Sequence, residues 1–211
     1  MNDKELRRRD LIGNCIAKGA LVAAVPMSAS NLFALYAEGE KNAVKPTSAE
    51  VLGPFYRKGA PNVSRLHKPG DPGFPLRVVG KVLNTRGEKV HGAQVEVWQA
   101  DHAGLYDVEG YRYRAKIATE SAAEYTLETI MPGHYADRPA QHIHYMIAAP
   151  GHKTLITQAY FATDPFFEGD PDKHYTKRNM VSSRELVRTV KLFEEGTPHC
   201  EISFDIILEK A

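Results

Sequence analysis

The sequence predicts an all-β sandwich with an irregular N-terminal arm and one or two short helices. Three observations carry this. Beyond Pro75, short apolar runs alternate with turn residues at close spacing. The last run, Glu201 to Glu209, places Ile202, Phe204, Ile206 and Leu208 on one face and polar residues on the other, the period-two pattern of a half-buried strand. Helical spacing occurs only over Ser183 to Phe193, through Leu186, Val187 and Val190. Many short strands with little helix point to two packed sheets.

The elements follow in order. From Glu38 to Ser48 the chain is polar and reads as a linker. Val51 to Gly73 is punctuated by Gly53-Pro54, Pro69-Gly70 and Pro72-Gly73, which suits an irregular arm and no regular element. Leu76 to Leu83 reads as a strand, Asn84 to Glu88 as a turn, and Ala93 to Ala100 as the returning strand. Tyr125 to Ile130, His142 to Ala148 and Thr154 to Ala162 supply three more.

The 211 residues suffice for one well-cored domain. A net charge of +1 gives no electrostatic case for nucleic acid or an acidic membrane surface. Two cysteines, Cys15 and Cys200, do not make a disulfide framework. At the N-terminus, Arg7, Arg8 and Arg9 precede Asp10-Leu11-Ile12, a modest apolar stretch from Ile16 to Val25, and small residues to Ala37. That order is the layout of an export signal, and Arg-Arg-Asp-Leu-Ile resembles the twin-arginine pattern. The stretch is too short and polar for a stable membrane span. The expected organisation is a signal over 1–37, a linker over 38–50 and the sandwich over 51–211. The protein is then periplasmic, or cytoplasmic if the N-terminus is instead a packing helix or an oligomer arm.

The chemistry starts at Gln141-His142-Ile143-His144-Tyr145. On a strand, residues two apart share a face, so both imidazoles converge while Ile143 and Tyr145 turn into packing. Alone, the pair suits zinc, copper or iron(II), or two hydrogen-bonded histidines. No carboxylate or thiolate stands at obvious ligand spacing, but Tyr135 and Tyr106 lie in distinctive strings. A phenol ionises near pH ~10, so only a strongly Lewis-acidic ion keeps it deprotonated at neutral pH. Taken singly, each tyrosine also suits core or surface.

Gly53-Pro54-Phe55-Tyr56, Trp98-Gln99-Ala100-Asp101 leading to Gly104-Leu105-Tyr106, Thr129-Ile130-Met131-Pro132-Gly133-His134-Tyr135, Arg138-Pro139, His142-Ile143-His144 and Leu155-Ile156-Thr157-Gln158-Ala159-Tyr160-Phe161 occur in one order. Together they resemble the intradiol ring-cleavage dioxygenases. The resemblance implies a transthyretin-like sandwich and an Fe(3+) site held by Tyr106, Tyr135, His142 and His144, with Tyr135 the ligand released when substrate chelates. It also implies Arg138 and Gln158 beside the reacting oxygens, and Val51 and Pro54 lining the ring pocket. Tyr111 and Tyr113 compete with Tyr106 only by proximity. Gln141 sets Arg138 four residues before His142 where the family has three, so either a bulge absorbs one residue or the guanidinium is displaced. The expected partners are an aromatic diol and O2, with self-association left open. Two other readings stand beside this one: a transthyretin-like binding module without turnover, and a zinc hydrolase recruiting His134 or Asp137.

Overall fold

The strand β1 (Pro75–Asn84) alternates buried and exposed residues along its whole length, with Leu76, Val78 and Val82 inward. At its end Asn84 closes the expected turn: its Oδ1 accepts from the amides of Arg86 and Glu88, and its carbonyl from that of Gly87. The computed structural model describes residues 43–119, 122–135 and 138–211, all within the unit Asn42–Ala211. The expected signal over 1–37, Cys15, the first residues of the linker and Asp137 lie outside the described residues.

The chain then runs through β2 (Gln94–Gln99), β3 (Arg114–Ala118), β4 (Glu124–Ile130), β5 (His142–Ala148) and β6 (Leu155–Phe161). A short helix α1 (Pro171–His174) and three single 3-10 turns follow. The chain closes with β7 (Val187–Arg188), β8 (Lys191–Phe193), β9 (His199–Ser203) and β10 (Ile206–Leu208). Two five-stranded sheets result. In one, β1 pairs with β4 on one edge and with β9 and β10 on the other, and β8 lies outside β9; the second has the order β3-β2-β5-β6-β7. The molecule is all-β, as the alternation predicts.

One core fills the space between the sheets. Val95, Val97, Ile143, Tyr145, Ile147, Ala159 and Phe161 face Leu76, Val78, Leu127, Ile202, Phe204 and Ile206. Tyr145 meets Phe204 and Tyr125 across the gap, at 5.1 and 6.4 Å between ring centroids. Each fully buried aliphatic chain there contributes about 1.5–3 kcal/mol by removal from water. Since Ile143, Tyr145 and Ile147 take the core face of β5, His142 and His144 must take the outer one.

Three local expectations need correction. Ser183 to Phe193 forms no helix: Arg184–Leu186 is one 3-10 turn, and Val187 continues as β7, parallel to Tyr160 and Phe161. The buried Leu186 and Val187 mimic helical spacing, but the β-branched run Val187, Thr189, Val190 suits a strand, and edge pairing with β6 wins. Glu201 to Glu209 is two strands on one register, Ser203 opposite Val79 and Ile206 opposite Val82. Between them the Phe204 carbonyl accepts from Tyr125, and Asp205 Oδ1 takes the Lys81 amide. Finally β3 was not foreseen. Its Arg-Ala-Lys-Ile-Ala sequence has a single β-branched residue, Ile117, and it exists by pairing with β2 from Trp98 to Gln94. The arm is irregular as expected. It is tied down by Glu50 N to Ile156 O, Thr157 Oγ1 to Ser48 O and Gln158 Nε2 to Val51 O.

Candidate metal centre

On the outer face of β5, the Nε2 atoms of His142 and His144 lie 3.2 Å apart, with both residues buried. His142 Nδ1 donates to the carbonyl of Ala140 at 2.7 Å. A carbonyl only accepts, so Nδ1 carries the proton and Nε2 presents a lone pair. Burial holds both rings neutral: it pulls His142 down to about 4 and His144 well below its ordinary value, the latter helped by His142 itself. Two neutral imidazoles with their Nε2 atoms side by side are what a cation requires.

Two tyrosines complete the cluster, and the loops that carry them are held backbone to backbone. Asp101 Oδ1 accepts from the amides of Ala103 and Leu105, forming the turn that aims Tyr106. In that turn Gly104 has φ +83°, and a Cβ would fall 1.9 Å from the His134 carbonyl oxygen. Opposite it, the Gly133 amide donates to Asp101 O at 2.7 Å, and a Cβ on Gly133 would lie 2.4 Å from the Gly104 nitrogen. Both loops therefore need glycine where they cross. The crossing sets the Tyr106 and Tyr135 rings edge to face at 5.6 Å. Tyr135 Oη then lies 3.3 Å from His142 Nε2.

The Tyr106 hydroxyl is buried without a well-formed hydrogen bond. Burial, and then the nearness of Tyr135, raise its pKa well above that of a free phenol. The Tyr106 phenol ionises here only against a strong Lewis acid. Two neutral imidazoles and two phenols, one of them with its buried oxygen orphaned, fit a hard trivalent cation such as iron(III). Among the described residues, no group of three His, Cys, Asp or Glu could hold a metal. His134, a candidate for a zinc site, is turned to Asp164 at 3.0 Å.

Arg138 reaches the site despite the extra residue. Its Nη2 donates to Gln158 Oε1 at 2.6 Å and to the Tyr160 hydroxyl at 2.7 Å. The chain bends at Ala140, and beyond it the Gln141 amide donates to Asp164 Oδ2 and its side chain to the Pro132 carbonyl. Gln158, fully buried, pairs directly with His144 across the ladder. The guanidinium has no ion-pair carboxylate among the described residues, so its charge is free to act on a bound anion.

Other predicted residues sit further out. Val51 gives Gln158 its carbonyl and leaves its side chain exposed. Pro54 borders a cavity of about 220 Å³ with Phe55, Tyr56, Arg57, Val108 and Arg114. A larger cavity, about 650 Å³, lies at the other sheet and includes Arg65, His67 and Arg77 but none of the four donors. Tyr111 donates to the Lys58 carbonyl and Tyr113 lies beneath Arg112, which leaves Tyr106 as the donor. No role follows from sequence alone for Trp98, Phe55, Tyr160 or Asp164, although the first three stand inside the quoted strings. Trp98 stacks on His144, and Phe55 on Tyr106. Asp164 lies 30 residues from His134, with no local signal.

The fold and site define a β-sandwich with two phenols and two imidazoles gathered on the outer face of one sheet. The sequence pattern of a family described as Dioxygenase matches residues 51–210. The chain belongs to the intradiol ring-cleaving dioxygenase family. It is 32% identical over 189 residues to a catechol 1,2-dioxygenase of Candida albicans, covering 77% of this chain and 62% of that protein. To a hydroxyquinol 1,2-dioxygenase of Nocardioides simplex it is 31% identical over 195 residues, 78% of this chain and 65% of that one. The chain thus spans just under two thirds of the curated relatives it matches. Among solved structures it resembles the dioxygenase domain of a dioxygenase carbohydrate-binding fusion from the cellulolytic bacterium Streptomyces sp. SirexAA-E. That likeness has a TM-score of 0.67 and 32% identity, covering 79% of this chain and all of that one.

Proposed function

We propose that this protein is an iron(III)-dependent intradiol dioxygenase that opens a catechol-type ring between its two oxygen-bearing carbons, giving a muconate-type diacid. The observation that carries the reading is the clustering of His142, His144, Tyr135 and Tyr106, where no group of three His, Cys, Asp or Glu among the described residues offers another site. The names of its relatives, catechol and hydroxyquinol 1,2-dioxygenases, support the same substrate class, and a carboxylated catechol belongs in the same screen. The N-terminal arginines and apolar stretch support export by the twin-arginine route.

A ferric ion held by these four residues would supply Lewis-acid polarisation of the diol and a template for its reaction with O2. The remaining work falls to the chain. Tyr135, on a loop and beside His142, is placed to leave and to accept a diol proton at its Oη. The Arg138 guanidinium, seated by Gln158 Oε1 and the Tyr160 hydroxyl that accept from its Nη2, forms a preoriented cationic edge for charge developing on the ring oxygens. Phe55 and Trp98 keep water from the phenol and imidazole faces.

Purified protein reconstituted with iron(III) is expected to be red to burgundy from phenolate charge transfer, and Tyr135→Phe to weaken that colour. A colourless protein that selects zinc overturns the reading. A coloured protein that consumes no O2 with catechol, hydroxyquinol or protocatechuate would instead be a binding module.

A further inference from the structure

The metal donors are held in two different ways. His142 has its Nδ1 on the Ala140 carbonyl, which fixes the ring's rotation and tautomer. His144 Nδ1 is buried with no hydrogen-bond partner, and the Tyr106 hydroxyl is buried with no well-formed bond, only the nearness of Tyr135. Instead, each of these two rings lies flat against another aromatic. The Trp98 indole stacks on His144 at 4.9 Å with 5° between planes, and Phe55 on Tyr106 at 4.2 Å and 12°. The stacking partners are fixed in turn. Trp98 pairs with His144 across the ladder and meets Tyr56 edge to face at 5.1 Å. Phe55 is anchored through its carbonyl by Arg114 Nη1 at 2.6 Å. Gly53, with φ +73°, brings the arm so close that a Cβ there would lie 3.1 Å from His144 Cε1.

We infer that Phe55 and Trp98 are positioning residues for Tyr106 and His144, doing by stacking what a hydrogen bond does for His142, so that the segment Gly53–Phe55 of the arm completes the metal centre. A stacked face restrains the plane and tilt of a ring. Replacing the face by an aliphatic chain removes that restraint and leaves the donor atom in place. The arm is then part of the site's geometry, beyond being a wall of its pocket. The inference rests on the proposed iron centre for its purpose, but its physical core concerns ring mobility alone.

The test uses the full chain with Phe55→Leu, Trp98→Leu and the conservative Phe55→Tyr and Trp98→Phe. In metal-free protein with labelled tyrosine, Phe55→Leu is expected to speed the flipping of the Tyr106 ring by NMR, while Phe55→Tyr restores the wild-type rate. After loading with iron(III), both leucine variants are expected to release the ion to a chelator about tenfold faster, the range seen when a ligand loses its orienting partner. Phe55→Leu should also shift the phenolate charge-transfer band. Unchanged Tyr106 flipping together with unchanged release overturns the inference even where iron binds normally. Faster flipping in a protein that takes up no iron would sustain the positioning role and sink the iron reading. Aromatic replacements that behave like the leucine variants would also contradict stacking.

Discussion

His142 and His144 are one strand's property, whereas Tyr106 and Tyr135 are delivered by two loops. The histidines are two residues apart on β5, between β2 and β6, with every neighbour fixed by pairing. Their convergence follows from the pleat alone. The tyrosines converge because Gly104 and Gly133 let two turns touch, and because Asp101 closes one of them. The strand pair takes its geometry from the ladder alone, while the place of the loop pair depends on the contact between two turns. A ligand that leaves during turnover belongs on the second kind of support.

The sharpest way to break this contrast is to remove the strand half. His144→Ala should lower iron(III) affinity by more than about 100-fold, exceeding the loss expected when only a ligand's hydrogen-bond partner is removed. Equilibrium titration of the apoprotein checks it. Retained affinity would mean the tyrosines alone hold the ion.

Acid tests the same half without mutation. His142 has its folded pKa at about 4, below the ordinary 6.5, because it is buried. The folded protein therefore binds fewer protons than the unfolded chain between those values, and stability must fall as pH falls through that window. His142 alone accounts for a loss on the order of 3 kcal/mol in the metal-free protein, and His144 adds in the same direction. Denaturant melts from pH 7 to pH 4 would show it, and a flat profile would mean these rings are open to water. Bound iron should oppose the loss until protons displace it.

Arg138→Met probes the flank of the site. It should cost about 100-fold in kcat, the usual price of one preoriented donor, while iron content stays at wild-type level. Equal loss of iron would place Arg138 in the support of the centre. At the small end, Arg65→Ala breaks an ion pair with Glu128 whose arginine side chain is 65% exposed, and it should change stability by under about 1 kcal/mol. A larger effect in thermal melts would show that the neighbouring arm bears on the whole sandwich.

The same contrast explains what the sequence made legible. The alternation of β1 and β5 identified strands and faces, because burial of one face enforces period two. His142 and His144 were readable as a pair for that reason. Tyr106 and Tyr135 were not readable from spacing; they became visible only within strings whose glycines and Asp101 the structure now accounts for. Phe55 and Trp98 stood inside those strings but carried no chemical signal, since an aromatic side chain reads first as packing. Asp164 escaped because its partners, His134 and Gln141, are joined to it only by the fold. β3 and the misread helix near Leu186 failed at edges of the second sheet, where pairing with a neighbour outweighs local pattern.

On the proposed function, these four donors support insertion of O2 into a diol ring. The direct measurement is product mass after the iron(III)-loaded protein turns over catechol under 18O2. The account predicts a ring-opened diacid carrying both labelled atoms, one in each new carboxyl group, with one O2 consumed per ring. Unlabelled or singly labelled product, or no ring opening with any of the three diols, would contradict it.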